Sequence, residues 1–255
     1  MIADTELRAF RAGYYGLFVS LLWREPSGDL LTALGHDIET RVAGAQGLHA
    51  QLAAGWREIA AFVARVPASG RAEVVADEYV RLFLWPHGAP LQPYESYYLT
   101  GRVLDRPLAA LRGDLAELGI AREPDYGEPE DFLAFELDVM RRLVDRQARA
   151  GDADAEAAVV AREAAFLKRH LLVWGPAAAR DMAAAPHAAF YRGVGRLLEG
   201  FLDLERESFT GWGEEPLVTM EEARQRFARA GEWRGPLFDL PTPPGVEPEE
   251  PGGER

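Results

Sequence analysis

The chain contains 255 residues, of which 48% are hydrophobic and 27% charged, and this length is sufficient for one large or two small domains with a buried core. Its net charge of −13 argues against nucleic acid as a partner, because nucleic-acid binding needs a basic surface, and is typical of basic partners or of simple solubility. The lack of cysteine excludes disulfides, thiolate metal sites and cysteine nucleophiles. Without a long apolar run or a secretory signal pattern, we expect a cytoplasmic location and no stable membrane insertion.

Apolar residues at helical spacing recur along the chain and predict an all-α fold of about nine or ten helices. The stripes contain Leu7, Phe10, Tyr14, Leu17 and Phe18; Trp56, Ile59 and Phe62; Leu104, Leu108, Leu111, Leu115 and Leu118; Phe132, Phe135, Val139, Met140 and Leu143; Phe166, Leu167, Leu171 and Trp174; and Phe190, Val194, Leu197 and Phe201. Pro129 suits the first turn of a helix, and the stripe before Gly175-Pro176 is expected to end there. Thr219-Met-Glu-Glu222 forms a capping box that opens a short helix, which stops at Gly231.

Three stretches interrupt the helical pattern and organise the chain. Residues 85–98, WPHGAPLQPYESYY, contain three prolines within eight residues, so they cannot form a helix interior. An acidic, proline-containing hinge at 123–131 is expected to separate an N-terminal subdomain, 1–122, from a C-terminal one, 132–240. Residues 241–255 are proline-rich and acidic and predict a disordered tail. Hinged helical proteins exchange subdomains between chains, so both a monomer and a domain-swapped dimer remain open.

Catalytic and metal-binding templates do not fit the chain. Lys168, the single lysine, lies in Leu-Lys-Arg, so a phosphate-binding P-loop is missing. The five histidines do not pair at metal-ligand spacing, and DADAE at 152–156 lacks the glycine of a calcium loop. His170 lies beside an apolar stripe, where a buried, hydrogen-bonded histidine is a simpler interpretation than a catalytic one. Paired carboxylates are available at Glu130, Asp131, Glu136 and Asp138. Their spacing alone does not predict a raised pKa, and we expect no enzymatic activity, no metal and no cofactor.

The segment 85–98 is too aromatic for a disordered loop. Its rings are those of Trp85, Tyr94, Tyr97 and Tyr98. Prolines reduce the entropy lost on ordering, so the segment can hold these rings as a stiff apolar surface around one carboxylate. Such a surface suits a ligand with an apolar part and a cationic part. The alternative is that the rings cap the core between helices.

Three groups of motifs occur in a fixed order along the chain. EYVRLFLWPHGAPLQPYESYY (78–98) contains a Tyr-x-x-Leu-Phe helix end and Pro-Tyr-Glu-Ser, and GEPEDFLAFELDVMRRL (127–143) contains Glu-Pro-x-Asp before a Glu-Leu-x-x-Met helix. FLKRHLLVWGP (166–176) and AFYRGVGRLLEGFLDLE (189–205) contain a His-Leu-x-x-Trp helix and a Phe-Tyr helix. Together, over about residues 7–207, they resemble the TorD/DmsD family of cytoplasmic redox-enzyme maturation chaperones.

The resemblance implies an all-α fold of two subdomains and a system-specific chaperone. Such proteins bind the twin-arginine signal peptide, or another part, of a molybdenum-containing oxidoreductase subunit, and hold the apo-subunit until its cofactor is inserted. The expected partner is therefore a molybdopterin oxidoreductase catalytic subunit with its N-terminal signal peptide. The alternatives are a chaperone of a non-exported nitrate-reductase-like subunit, and a nucleotide hydrolase or an enzyme that uses the clustered acids.

The client peptide is expected to contact the motifs that flank the hinge. The carboxylates expected to receive its arginines, as charge-assisted pairs, are Glu95, Glu128, Glu130 and Asp131. The residues expected to receive its apolar part are Tyr79, Leu82, Phe83, Trp85 and Tyr94, and Pro93, Ser96 and Pro129 complete the expected site. Phe132 stands where the family motif has histidine, so an imidazole that titrates near neutral pH is replaced here by an apolar ring.

Overall fold

The computed structural model describes residues 5–84, 88–123, 126–209, 211, 213 and 216–229. These residues form twelve α-helices and one π-helical segment, and they contain no β-strand. The helices are α1 (Thr5–Leu22), α2 (Gly28–His36), α3 (Ile38–Gln46), α4 (Ala50–Arg65), α5 (Ala68–Tyr79), α6 (Glu95–Thr100), α7 (Arg106–Glu117), α8 (Leu133–Ala148), α9 (Ala153–Arg169), α10 (Leu171–Ala184), α11 (Phe190–Phe209) and α12 (Met220–Arg229), and the π-helical segment is Val80–Leu84.

The all-α prediction is confirmed, with more helices than expected. Single residues separate two pairs of helices, Asp37 between α2 and α3 and His170 between α9 and α10, and a one-residue break does not interrupt a periodic stripe. None of the described helices is both long and apolar enough to cross a membrane. The tail predicted at 241–255 lies outside the described residues.

Three helix boundaries differ from the predicted ones. Helix α10 starts after the break at His170 and continues through Pro176, which lies in its second turn. Leu104 precedes α7, which begins after Asp105, whose carboxylate accepts a hydrogen bond from the Arg106 N–H. Pro129 lies before α8, in a turn that the hydrogen bond from the Phe132 N–H to the Pro129 carbonyl closes at 3.2 Å.

The core lies between helices from both halves of the sequence. Helix α11 packs between α4 and α10, α1 packs against α8, and α9 lies beside α8. Buried apolar side chains from α1 to α11 form one hydrophobic cluster that contains residues from both sides of the predicted hinge. The division into subdomains at 123–131 stays a prediction.

A buried ion-pair cluster holds α1 against α9 and α11. The Arg11 guanidinium makes two hydrogen bonds to Glu205, of 2.8 and 2.9 Å, and lies 2.8 Å from Glu163. The hydroxyl of Tyr15 also donates to Glu205, at 2.6 Å. One guanidinium faces two carboxylates here, and burial, which Arg11 offsets only in part, raises the pKa of Glu163 from 4.5 to about 7.

Glycines allow the backbones of α4 and α11 to touch. A Cβ atom on Gly200 would lie 2.4 Å from the backbone nitrogen of Leu52, and one on Gly55 would lie 2.5 Å from the backbone nitrogen of Leu197. Real Cβ atoms do not approach backbone atoms so closely, and the backbone of a packed helix cannot move aside without disturbing its neighbours. The stretch GVGRLLEG at 193–200 therefore serves helix packing.

We expect Gly200→Ala to lower the free energy of unfolding by about 1–3 kcal/mol or more, because the added methyl group overpacks the crossing. Gly13→Ala is the matched control, since Gly13 lies exposed in α1 and a methyl group added there would meet no atom within 4 Å. That control should gain about 0.5–1 kcal/mol from helix propensity. Urea unfolding of both variants measures the difference, and equal stabilities would show that the crossing tolerates a side chain.

Candidate functional site

Backbone hydrogen bonds join the Pro-Tyr-Glu-Ser segment to the Glu-Pro-x-Asp segment. The Leu133 N–H donates to the Pro93 carbonyl at 2.9 Å, and the Glu95 N–H donates to the Asp131 carbonyl at 2.9 Å. The Asp131 carboxylate then accepts the Ser96 N–H at 3.0 Å. These two motifs, more than 30 positions apart, thus form one unit at the N-terminus of α6.

Much of the proline-rich stretch at 88–98 is buried. Residues 95–98, predicted as loop, form the first turns of α6, and Leu91 and Pro93 are buried. The Leu91 N–H donates to the Leu82 carbonyl of the π-helical segment at 3.2 Å. Tyr97 keeps 42% of its surface exposed, and Trp85 lies outside the described residues.

His170 connects α6 and α7 from the break between α9 and α10. Its Nδ1 lies 3.1 Å from a Glu95 carboxylate oxygen, and its Nε2 lies 2.8 Å from Asp114. Glu136 lies in the same buried region, where it accepts the Trp174 indole N–H at 3.1 Å. The expectation of a buried, hydrogen-bonded histidine is confirmed.

The charges in this buried group are set by the neighbours of His170. Burial alone would lower the pKa of His170, but the negative charge of Glu95 and the hydrogen bonds to Asp114 and Glu95 outweigh it and raise that pKa to about 10. Burial, and then the negative charge of Glu95, raise the pKa of Glu136 well above its ordinary range. With a pKa of about 10, His170 is an imidazolium at neutral pH, held between the carboxyl groups of Glu95 and Asp114, and the raised pKa of Glu136 favours its protonated form.

The raised pKa of His170 predicts a specific pH dependence of stability. A group whose pKa is higher in the folded state stabilises fully below its unfolded pKa of 6.5, and that contribution is lost as pH rises towards about 10. We expect wild type to lose stability relative to His170→Gln between pH 6.5 and 10, by at most about 1.4 kcal/mol per pH unit. Urea unfolding across this range measures the difference, with the exposed His36→Gln as a control that should follow wild type. Parallel profiles for wild type and His170→Gln would contradict a charged His170.

On the outward side of the joined motifs, Glu128 lies among tyrosines. The Tyr94 hydroxyl donates to the Glu128 carboxylate at 2.7 Å. Burial, followed by the negative charges of Glu128 and Glu25, raises the pKa of Tyr79 to about 12. Burial and the charge of Glu128 also raise the pKa of Tyr126. We call this region the aromatic–acid face, and its members are Trp23, Glu25, Phe83, Tyr94, Tyr126 and Glu128 together with Tyr79, which is buried beneath them.

The rings of the aromatic–acid face support one another. Tyr126 stacks on Trp23 with ring centroids 4.2 Å apart, and Phe83 lies 4.9 Å from Tyr79. Phe132, which stands where the family motif has histidine, is buried and places its ring 5.4 Å from that of Tyr94. The Phe132 ring therefore packs against the Tyr94 ring and helps to hold it in position.

The predicted site residues divide by exposure. Tyr79, Leu82, Pro93, Glu95, Ser96 and Asp131 are buried, whereas Phe83, Tyr94, Glu128, Pro129 and Glu130 are half-buried. Glu95 and Asp131 bond inside the chain, and Glu130 pairs with Arg112 at 2.8 Å and with Arg122 at 3.7 Å. Within the described part of the chain, no ion pair joins Glu128 to a basic side chain.

Sequence reasoning missed three members of the face, Trp23, Glu25 and Tyr126. Trp23 follows the last residue of α1, where it reads as part of the apolar stripe, and Tyr126 is the lone aromatic residue of the acidic hinge. An aromatic residue within an otherwise polar hinge was the available signal for Tyr126. Glu25 has no comparable pattern around it.

Comparison with known proteins places the chain in a family. Residues 45–180, just over half of the chain, match the model of the family described as nitrate reductase delta subunit. The chain belongs to the nitrate reductase delta subunit family. Its resemblance to TorD-type proteins is thereby confirmed, and the matched region contains both joined motifs, His170 and the whole of α6 to α9.

Individual relatives carry the name Chaperone protein TorD. The protein from Photobacterium profundum is 30% identical over 139 residues, 54% of this chain and 64% of the relative. That from Aeromonas salmonicida is 35% identical over 135 residues, 53% of this chain and 60% of the relative. That from Vibrio parahaemolyticus is 26% identical over 214 residues, 81% of this chain and 99% of the relative. The first two alignments span less than two thirds of the relatives they match.

Proposed function

We propose that this protein is a non-enzymatic cytoplasmic chaperone that binds the N-terminal twin-arginine signal peptide of a molybdenum-containing oxidoreductase subunit until its cofactor is inserted. The names of the relatives support the chaperone role. The observation that carries the proposal is Glu128, a half-buried carboxylate among tyrosines that makes no ion pair within the described part of the chain. We infer that this carboxylate receives a cation from the client, since no described side chain forms an ion pair with it.

A guanidinium group fits this environment better than other cations do. Its planar fork donates two parallel hydrogen bonds to one carboxylate, and its face stacks on aromatic rings. The bond from Tyr94 holds the Glu128 carboxylate in place before the client arrives, which reduces the entropy lost on binding. Glu25, which also acts on Tyr79, offers a second carboxylate on the same face. The rings of Phe83 and Tyr126 are then available to the apolar part of the peptide.

The buried members of the predicted site hold this face in position. Glu95, Ser96 and Asp131 join α6 to the segment that carries Glu128. Direct contact of client arginines with Glu95, Glu130 or Asp131 stays a prediction, and it would require each carboxylate to give up bonds inside the chain. We therefore place the first arginine at Glu128.

Glu128→Gln should weaken binding of a twin-arginine peptide about tenfold or more, because a hydrogen bond to a charged group contributes roughly 1.5–3 kcal/mol. Glu130→Gln is the matched control, since it removes the same charge from a carboxylate that Arg112 already occupies. Isothermal titration calorimetry measures both affinities, and thermal unfolding checks that the two variants remain folded. A loss of affinity in Glu130→Gln with none in Glu128→Gln would move the arginine site to Glu130.

Replacing the two arginines of the peptide with lysines should cost affinity at equal charge, because lysine cannot form the planar fork. Wild-type binding should also weaken as salt rises, since partly exposed charges are screened over about 8 Å at physiological ionic strength. Calorimetry at low and high salt with both peptides tests this. Equal affinities for the two peptides at both salt concentrations would show that the face recognises apolar surface alone.

The family description, nitrate reductase delta subunit, supports a nitrate-reductase-like subunit as a second candidate client, and we propose the non-exported form of such a subunit. Its N-terminal segment would lack twin arginines and would bind through apolar contacts and a single cation. An N-terminal peptide of such a subunit, measured against the twin-arginine peptide on wild type and Glu128→Gln, distinguishes the two clients. Tighter binding of the nitrate-reductase-like peptide, with little effect of Glu128→Gln, would favour the second.

A further inference from the structure

Helix α12 lies across α6 and α10 through a small contact. Leu99, Val173 and Ala223 form a buried apolar cluster that is separate from the main core, and Met220 and Phe227 pack against it half-buried. Among the α12 side chains that the structure describes, Ala223 alone is buried. The helix is therefore held by few apolar contacts.

Two arginines cross this contact in opposite directions. Arg224 of α12 donates to the Tyr98 carbonyl at 2.9 Å, and Arg106 of α7 donates to the Phe227 carbonyl at 2.8 Å. Both bonds are exposed to solvent, so each contributes little net stability. The capping box at Thr219 and Glu222 starts the helix as predicted, but a helix of ten residues is too short to be stable without docking. Helix α12 therefore belongs to the least stable part of the described chain.

Helix α12 does not fill the space beside α6 and α10. A groove of about 690 Å³ remains between α12 and the α6–α7 region, and its wall includes Tyr97, Asp105 and Asp181. The groove is open to solvent, and Arg224, Phe227 and Ala228 of α12 form one of its walls, so one side of α12 is not packed against the rest of the chain. The loop beside the groove also exposes Leu104, which is 67% accessible and has a backbone φ of 59° that leucine rarely adopts.

We propose that α12 is a displaceable occupant of its contact surface on α6 and α10, beside this groove, and that the client displaces it with an amphipathic segment of the same chemistry. In α12, Arg224 and Phe227 are three positions apart and so project from one face of the helix. The arginine reaches the Tyr98 carbonyl at the edge of a groove that also contains two aspartates, and the phenylalanine packs towards Leu99. A client segment with an arginine and an aromatic residue at this spacing would make the same contacts.

This inference rests on the proposed function, since it needs a client that carries arginines. It adds a second docking surface, at the C-terminal end of α6, to the aromatic–acid face at the N-terminal end. While α12 is docked, it covers Leu99 and Val173, so only the fraction of molecules in which α12 is undocked offers this contact to the client, and the apparent affinity falls accordingly. When the client displaces α12, the capping box of that helix and its Arg224 side chain become exposed to solvent.

The test uses the full chain with α12 undocked by Ala223→Glu, which places a carboxylate against Leu99 and Val173. Gln225→Glu is the matched control, because it adds the same charge on the exposed side of α12. The first probe is a synthetic peptide of residues 216–229. It should bind Ala223→Glu about fivefold to thirtyfold more tightly than wild type or the control, as expected for release of a weakly docked segment. Equal, weak binding to all three forms would overturn the inference.

Arg106→Ala provides a second substitution, which lies in α7 and outside α12. It removes the bond to the Phe227 carbonyl from the docked α12 and from the bound peptide alike, so in the Ala223→Glu background, where α12 no longer competes, it should lower the affinity for the 216–229 peptide. An Arg224→Ala version of the peptide should bind less tightly to Ala223→Glu, since it cannot reach the Tyr98 carbonyl. Unchanged binding of that peptide would contradict the arginine contact.

The second probe is the twin-arginine peptide with wild-type protein, monitored by amide hydrogen exchange. Binding should accelerate exchange within residues 220–229 while the core helices stay protected. If the peptide binds but exchange in α12 does not change, displacement by the client is refuted and the proposed function stands. If the 216–229 peptide behaves as expected but the twin-arginine peptide binds to no form, the groove stands and the proposed function fails.

Discussion

The charged His170 between Glu95 and Asp114 is the interaction on which the arrangement of the site depends. A buried charge is tolerated only when its partners are close and well oriented, and removing one partner leaves an uncompensated charge. The N-terminus of α6, the middle of α7 and the start of α10 therefore cannot shift independently. Because α6 is held in this way, the Glu95 N–H and Ser96 N–H meet Asp131, and the segment that carries Glu128 follows.

In this arrangement Tyr94 lies between the buried contacts that hold it and the half-buried Glu128. Phe132 and the backbone hydrogen bonds of the joined motifs lie on one side of Tyr94, and the Glu128 carboxylate, which makes no ion pair within the described chain, accepts the Tyr94 hydroxyl. Aromatic rings held by packing lose little entropy on binding, which would favour the peptide recognition that we propose. The net charge of −13 adds a long-range attraction for arginine-bearing peptides.

The two ends of α6 differ in how firmly they are held. Its N-terminus is bonded to buried carboxylates, whereas its C-terminal half is covered by α12 through one buried alanine and two exposed arginine hydrogen bonds. Regions of low local stability are those that binding can rearrange at small cost. Helix α6 thus joins a firmly bonded N-terminus to a C-terminal half on which α12 is weakly held.

The sequence alone determined the all-α class, the positions of most helices and the α12 capping box, because helical periodicity and capping depend on residues within a few positions of one another. It also identified the two motifs that the structure joins. Only the tertiary structure decided which of their acids are buried, since the partner of Glu95 lies 75 residues away at His170. Long-range contacts likewise stacked Tyr126 on Trp23 and brought Tyr126 close to Glu128. Local patterns contain no information on such contacts, because a side chain's partners are set by how the helices pack.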